Sequence, residues 1–227
     1  MNNKPKPWQC LCLLTAFFLS GCGQQSSSII ETTKLAMVGQ PDTEISAQQV
    51  AKIPYASAYL KIGDAPRAFV VLGFANADHL KWFTADRNML VTRTGRVIKT
   101  LGFVNDLLFS DSALSDPLSD GKTLLKQNSS PTWQHREVWS GKYQSGYTLT
   151  STFSNKGVEA VTVLDTPRKL VRIDEKVQIP ALKTGYTNSF WLDPDSGDVV
   201  QSYQYLGPDL PLVQFTTLKP YASGRTS

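Results

Sequence analysis

Cysteine is scarce in this 227-residue chain: three in all, at positions 10, 12 and 22. No stretch approaches the ~18 consecutive apolar residues that a membrane-spanning helix requires. Histidine occurs twice, as His79 and His135, far apart and near no cysteine, so none of the usual zinc-ligand spacings is present. A Gly-x-Ser-x-Gly nucleophile elbow is missing, and so is a glycine-rich phosphate loop. The formal charge is only +4, and its basic residues are scattered rather than clustered, which gives no support to a nucleic-acid partner. These absences leave no motif for a metal, a cofactor or a hydrolase triad.

The N-terminus is informative. Lys4 and Lys6 form a positive flank without acidic residues, and an apolar run from Cys10 to Leu19 follows, about half the length of a bilayer span. It ends in Leu19-Ser20-Gly21-Cys22, the pattern of a bacterial lipoprotein precursor, in which a cysteine is acylated and cleavage falls before it. Residues 1–21 are therefore expected to be a removed signal peptide, Cys22 the lipidated residue and 22–28 a polar tether. With Cys10 and Cys12 gone, Cys22 has no disulfide role, and the domain must rest on its core alone. Two or more acyl chains anchor stably where one does so marginally, so the membrane is expected as a partner through Cys22. Gly23, in place of an inner-membrane retention aspartate, points, for a Gram-negative host, to a lipid-anchored, periplasm-facing location at the outer membrane.

Residues 29–227 are expected to form one domain. Helical spacing marks Ile29 to Val38; Pro41-Asp42-Thr43-Glu44 breaks it and offers a cap, and Ile45 to Ala51 reads as one or two further turns. After Pro54 the period changes. Tyr55–Ile62, Ala68–Phe74, Leu80–Phe83, Met89–Thr92 and Arg96–Thr100 are strand-like, with Arg93-Thr94-Gly95 as a tight hairpin. Phe103 to Leu108 looks helical, and Asp111 to Lys126 looks like a loop with partial helix. Further strands are predicted at Trp133–Trp139, Tyr147–Phe153, Val158–Leu164, Lys169–Ile179, Asn188–Asp193, Val199–Leu206 and Val213–Leu218, with a turn at Asn155-Lys156-Gly157. The fold class is mainly β: an antiparallel meander forming a partly closed barrel or sandwich, with short N-terminal helices and a helical or loop insertion near the middle. In Leu170–Ile179 the residues Val171, Ile173, Val177 and Ile179 share one face. Glu175 falls on that same face, which marks a bulge, a strand end or a polar pocket.

Asp193-Pro-Asp-Ser-Gly-Asp198 has the composition of a calcium loop, but the position where an EF-hand closes with glutamate holds Gln204, and a β-turn is the better reading. The remaining candidates are aromatic. Trp133, Trp139, Trp191 and Tyr203 suit either a sheet core or a platform for a sugar or a partner protein; Trp133 and Trp139, six apart, share one face of an unbroken strand. No catalytic constellation emerges.

Several stretches taken together resemble the group 4 capsule polysaccharide lipoprotein family. They are the lipobox at Cys22, Ile53-Pro-Tyr-Ala-Ser57, Thr92 to Gly102, Asn188 to Ser202 and Lys219-Pro220. The resemblance implies a mostly β envelope lipoprotein, encoded with machinery for surface polysaccharide, with only Cys22 carrying a defined role. Two readings stand. One is a non-enzymatic accessory factor in capsule or exopolysaccharide assembly or export, touching export proteins or glycan. The other is a carrier enclosing a lipid or polyprenyl-linked ligand in a curved sheet. An enzyme, a weaker third reading, needs two carboxylates facing across a cleft at roughly 5–9.5 Å.

Overall fold

The computed structural model describes residues 41–111, 116–126, 128, 130–144 and 146–222. Cys22, the signal segment, the tether and the helix expected over 29–38 lie outside the described residues. Twelve strands follow a short helix: α1 (Ala47–Lys52), β1 (Ser57–Ile62), β2 (Ala68–Asn76), β3 (His79–Phe83), β4 (Met89–Arg93), β5 (Arg96–Leu101) and β6 (Leu107–Ser110). A 3₁₀ turn (Pro117–Asp120) and α2 (Gly121–Leu124) separate these from β7 (Thr132–Trp139), β8 (Tyr147–Val163), β9 (Thr166–Ile179), β10 (Thr184–Leu192), β11 (Val199–Tyr205) and β12 (Leu212–Lys219).

All pairings are antiparallel, and the order is β5-β4-β3-β2-β1-β12-β11-β10-β9-β8-β7-β6. The first and last strands pair, so this is an up-and-down barrel whose one seam falls between consecutive strands β5 and β6. Side chains close that seam. Thr100 Oγ1 accepts the Leu107 amide at 2.9 Å and donates to Asp106 Oδ1 at 2.8 Å, and the Asp106 carboxylate takes the amides of Gly102 and Phe103.

Those bonds also explain one departure from the sequence reading. Phe103 to Leu108 is not a helix: Gly102 turns at φ +94°, the Asp106 and Leu107 amides that a helix would direct to the carbonyls of residues 102 and 103 go instead to Ser140 Oγ and Thr100 Oγ1, and β6 begins at Leu107. A second departure lies in β8, expected as two strands around a turn. It is one 17-residue strand, and the Asn155-Lys156-Gly157 step is a β-bulge with Gly157 at φ +91°. Asn155 is committed elsewhere, donating to the carbonyls of Leu124 and Leu125 at the end of α2. The cap of α1 also differs from expectation. It is Ser46, in a reciprocal capping box with Gln49, rather than a residue of 41–44.

Twelve strands make a barrel wider than the eight whose side chains alone just fill the interior. Two devices fill this one. Large apolar residues such as Trp82, Leu90, Trp139, Leu149 and Phe215 pack one part, and the Pro117–Leu124 segment plugs another, placing Leu118 and Leu124 against Trp133, Phe153 and Phe190. The plug fits tightly against the β10–β11 turn: a Cβ on Gly121 would lie 2.0 Å from the Gly197 carbonyl oxygen. The bulge in β8 reverses the side-chain parity beyond it. Val161 and Val163 then join Leu170, Trp191 and Val200 in a third cluster, on the outer wall of the barrel. The distal β8–β9 hairpin thus leans over that wall as an arm.

Candidate functional site

Two gatherings of polar residues bear on a candidate site, and the first is the barrel interior. Arg96, 3% exposed, makes a two-pronged bond to Asp116 (Nε–Oδ2 2.6 Å, Nη2–Oδ1 3.1 Å) and a third to Glu175 Oε2 at 2.9 Å. Its guanidinium lies 4.5 Å from the Trp133 ring centroid and 5.5 Å from that of Phe190. Burial works against the charge, but the field of Asp116 and then of Glu175 outweighs it, and Arg96 is held above the ordinary arginine range. Glu175 also accepts from Asn188 Nδ2, whose Oδ1 takes the Tyr205 amide. Gln204 bridges to the β4–β5 hairpin, accepting from the Val97 amide and donating to the Gly95 carbonyl. His135 stacks on Trp133 at 3.7 Å and sits 3.3 Å from Glu137, which also accepts from Ser110. Desolvation, reinforced by Glu137 and Glu175, pushes the Tyr186 phenol well above its usual range.

The polar-pocket reading of Glu175 is the one the structure realises. The cavity beside Arg96, His135, Glu137 and Glu175 measures about 10 Å³, room for one water at most. No sugar or lipid reaches these carboxylates. Among the described residues no group of three or more His, Cys, Asp or Glu is placed to hold a metal ion.

The second place is a groove of about 700 Å³ on the outer wall. Its floor is a grid made by outward side chains of three neighbouring strands, one row being Tyr59, Thr216 and Gln201 and the next Lys61, Gln214 and Tyr203. One wall is the 42–49 segment, and the other is the arm's tip, Thr162–Asp165. Local bonds set the walls. The Tyr59 hydroxyl accepts the Ile45 amide at 2.8 Å; the Arg67 amide donates to Asp42, and Arg67 Nε donates to the Thr43 carbonyl while its guanidinium lies 4.3 Å from the Tyr59 ring centroid. The Arg67 amide bond draws the Asp42 carboxyl below its ordinary value. On the other side Glu159 of the arm accepts from Trp191 Nε1 at 2.8 Å, and Trp191 meets Tyr203 edge to face at 4.8 Å. Gln201 donates to Thr216, whereas the Gln214 side chain makes no hydrogen bond to another described residue.

The four aromatic candidates are split by this arrangement. Trp133 and Trp139 do share a face, but it is the inward one; they are 4% and 1% exposed and present no surface to a ligand or partner. Trp191 faces outward, yet the arm covers it, and only its neighbour Tyr203 reaches the groove. His79 sits at the start of β3, 2.9 Å from Asp78, away from both polar sites. Asp193–Asp198 is a hairpin turn: the Asp193 carboxylate caps the amides of Asp195 and Ser196, and Gly197 closes the turn at φ +79°. Sequence reasoning passed over Tyr59, Gln201 and Gln214. Their signal was their common parity, opposite to the inward Leu60, Ser202, Val213 and Phe215.

A twelve-stranded antiparallel barrel whose interior is packed with side chains among the described residues, with a polar groove on its outer wall, belongs to the class of up-and-down β-barrels. The chain belongs to a family within that class, the one described as group 4 capsule polysaccharide lipoprotein GfcB, YjbF, whose model matches residues 30–218. The uncharacterized lipoprotein GfcB of Escherichia coli K12 is 32% identical over 206 residues, covering 90% of this chain and 95% of that one. The uncharacterized lipoprotein YjbF of the same organism is 29% identical over 91% of this chain and 95% of its own length. The crystal structure of the hypothetical lipoprotein YmcC from E. coli K12 superposes with a TM-score of 0.71 at 31% identity, over 88% of this chain and all of that one.

Proposed function

We propose that this protein is an outer-membrane lipoprotein that serves capsule polysaccharide assembly or export as a non-enzymatic accessory factor. Residues 1–21 direct export, Cys22 is acylated, and the domain faces the periplasm. It meets glycan or export proteins through its outer wall. The observation that carries this reading is the filled interior. A carrier must offer enclosed, displaceable volume, and pockets for small molecules run to about 300–1,000 Å³; beside the buried ion cluster there are about 10 Å³, and the opening of about 540 Å³ at the β9–β10 hairpin is lined by residues 176–187 alone, so the barrel wall does not enclose it. Membership of the capsule lipoprotein family supplies the polysaccharide context. The lipid-carrier reading is therefore not favoured, and Glu137 and Glu175, sealed from solvent, are not poised to cleave a glycosidic bond.

The test is genetic and direct. Deleting the gene, or replacing Cys22 by alanine, is expected to lower surface polysaccharide when the capsule system is expressed, measured by antibody or dye binding to whole cells. Unchanged capsule in both strains contradicts the reading. Sucrose-gradient fractionation should place the wild type with outer membranes.

A further inference from the structure

We infer that the outer groove is a binding site for a stretch of polysaccharide, recognised through hydroxyl groups and a sugar face. The identity of the glycan rests on the function proposed above; the existence of the site does not. The chemistry of the groove excludes other occupants in turn. An acyl chain finds no apolar floor, because the grid exposes Gln201, Gln214, Thr216 and Lys61. A polyphosphate or nucleic acid finds no net positive field, because Lys61 and Arg67 are answered by Asp42, Glu44 and Asp165 along the same walls. An extended peptide would pair its backbone with a free strand edge, yet β1, β11 and β12 are each hydrogen-bonded on both sides.

What the floor offers is side-chain chemistry alone. Gln214 presents both an acceptor and two donors without a partner among the described residues, and the amide of Gln201 and the hydroxyl of Thr216 lie one row away. Tyr203 supplies an aromatic surface whose ring is fixed by Trp191, which the arm's Glu159 fixes in turn. Neighbouring strands lie about 4.8 Å apart, so the three-strand grid spans about 10 Å, a width suited to a sugar chain lying across the strands. Because the site is held by the capping box of α1, the Tyr59–Ile45 bond and the Trp191 clamp, little ordering is left for the binding step.

The experiment uses the acylated full chain in nanodiscs, titrated calorimetrically with oligosaccharides cut from the surface polysaccharide of the strain that carries the gene. The wild type should bind with an affinity little changed between low and high salt. Gln214→Ala and Tyr203→Ala should each weaken binding about tenfold, the loss of one or two hydrogen bonds or of the ring contact. Tyr203→Phe should retain most of it, and Gln134→Ala, on the exposed outer face of β7, should have no effect. Thermal melts of all four variants keep a folding defect from being taken for a binding defect. No binding by the wild type, or wild-type binding by both alanine variants, overturns the site. So does protection of the groove by a peptide of an export protein instead of glycan, and loss of capsule on gene deletion would then leave the proposed function standing. Glycan binding that depends on Gln214, in a strain whose capsule survives the deletion, upholds the site and removes the function.

Discussion

The interior and the outer groove use the same kinds of residue to opposite ends. Inside, Arg96, Asp116, Glu175, Asn188 and Gln204 spend their hydrogen-bonding capacity largely on one another and on the β4–β5 hairpin, tying the plug, the hairpin and the far wall of the barrel together. Outside, the Tyr203 ring is held by Trp191 and the Gln214 side chain bonds to no described residue, so both leave their own chemistry unspent. An orphaned buried polar group costs about 1–3 kcal/mol, so most of this cluster is satisfied internally, with Glu175 Oε1, Glu137 Oε2 and His135 Nδ1 left without a partner among the described residues. A polar group on the surface carries no such obligation. The difference teaches that the inner cluster of charge serves structure, while a largely uncharged grid on the wall leaves polar groups free to serve the binding proposed for it.

Breaking the inner set should cost most. Arg96→Met leaves Asp116 and Glu175 buried without their cation, and is expected to destabilise by about 3–5 kcal/mol in urea unfolding. A smaller loss would mean that the cluster is not the joint it resembles. Gly121→Ala comes next: its methyl would meet the Gly197 carbonyl oxygen at 2.0 Å, so the plug must shift from the β10–β11 turn, for about 1–3 kcal/mol by the same measurement.

Asp193 sits at that turn and tests the exposed rim. Its carboxyl is held below the ordinary value of 3.8, chiefly by the Ser196 amide, with the Asp195 amide and Arg168 adding to it. The folded state therefore binds this proton less readily than the unfolded chain. Its contribution is complete above the ordinary value and is lost as pH falls through the lowered one. Asp193→Asn should cost about 0.5–1 kcal/mol at neutral pH, discounted for exposure, with the gap closing in acid. Smallest of all, Gln214→Ala should change stability by less than about 0.5 kcal/mol, since the side chain bonds to no described neighbour.

Much of the fold could be read from local signals. The Arg93–Gly95 hairpin is a turn with Thr94 at φ +45° and Gly95 at φ +86°, as a glycine after a short polar residue suggests. The alternation of Val171 to Ile179 correctly marked the inward face of β9, and Glu175 stood out as the polar exception. What failed were positions where a distant partner outbid local preference. The Asp106 amide went to Ser140, 34 residues on, instead of back along a helix, and Asn155 turned to the end of α2, converting an apparent turn into a bulge. The groove was hidden for a related reason. Its floor joins residues 59–61 with 201–216, brought side by side only because the last strand pairs with the first. Tryptophan content drew attention inward, to Trp133 and Trp139, while the glutamines on the wall carried no local signal beyond their parity.

The most direct test of the division between a filled inside and a binding outside is amide NMR of the isotope-labelled chain during titration with the oligosaccharides. Shifts should concentrate at Tyr59, Gln201, Tyr203, Gln214 and Thr216 and along α1, leaving Ile173, Phe190 and Asn188 unmoved. Shifts centred on those three interior residues, with the outer row silent, would contradict the account.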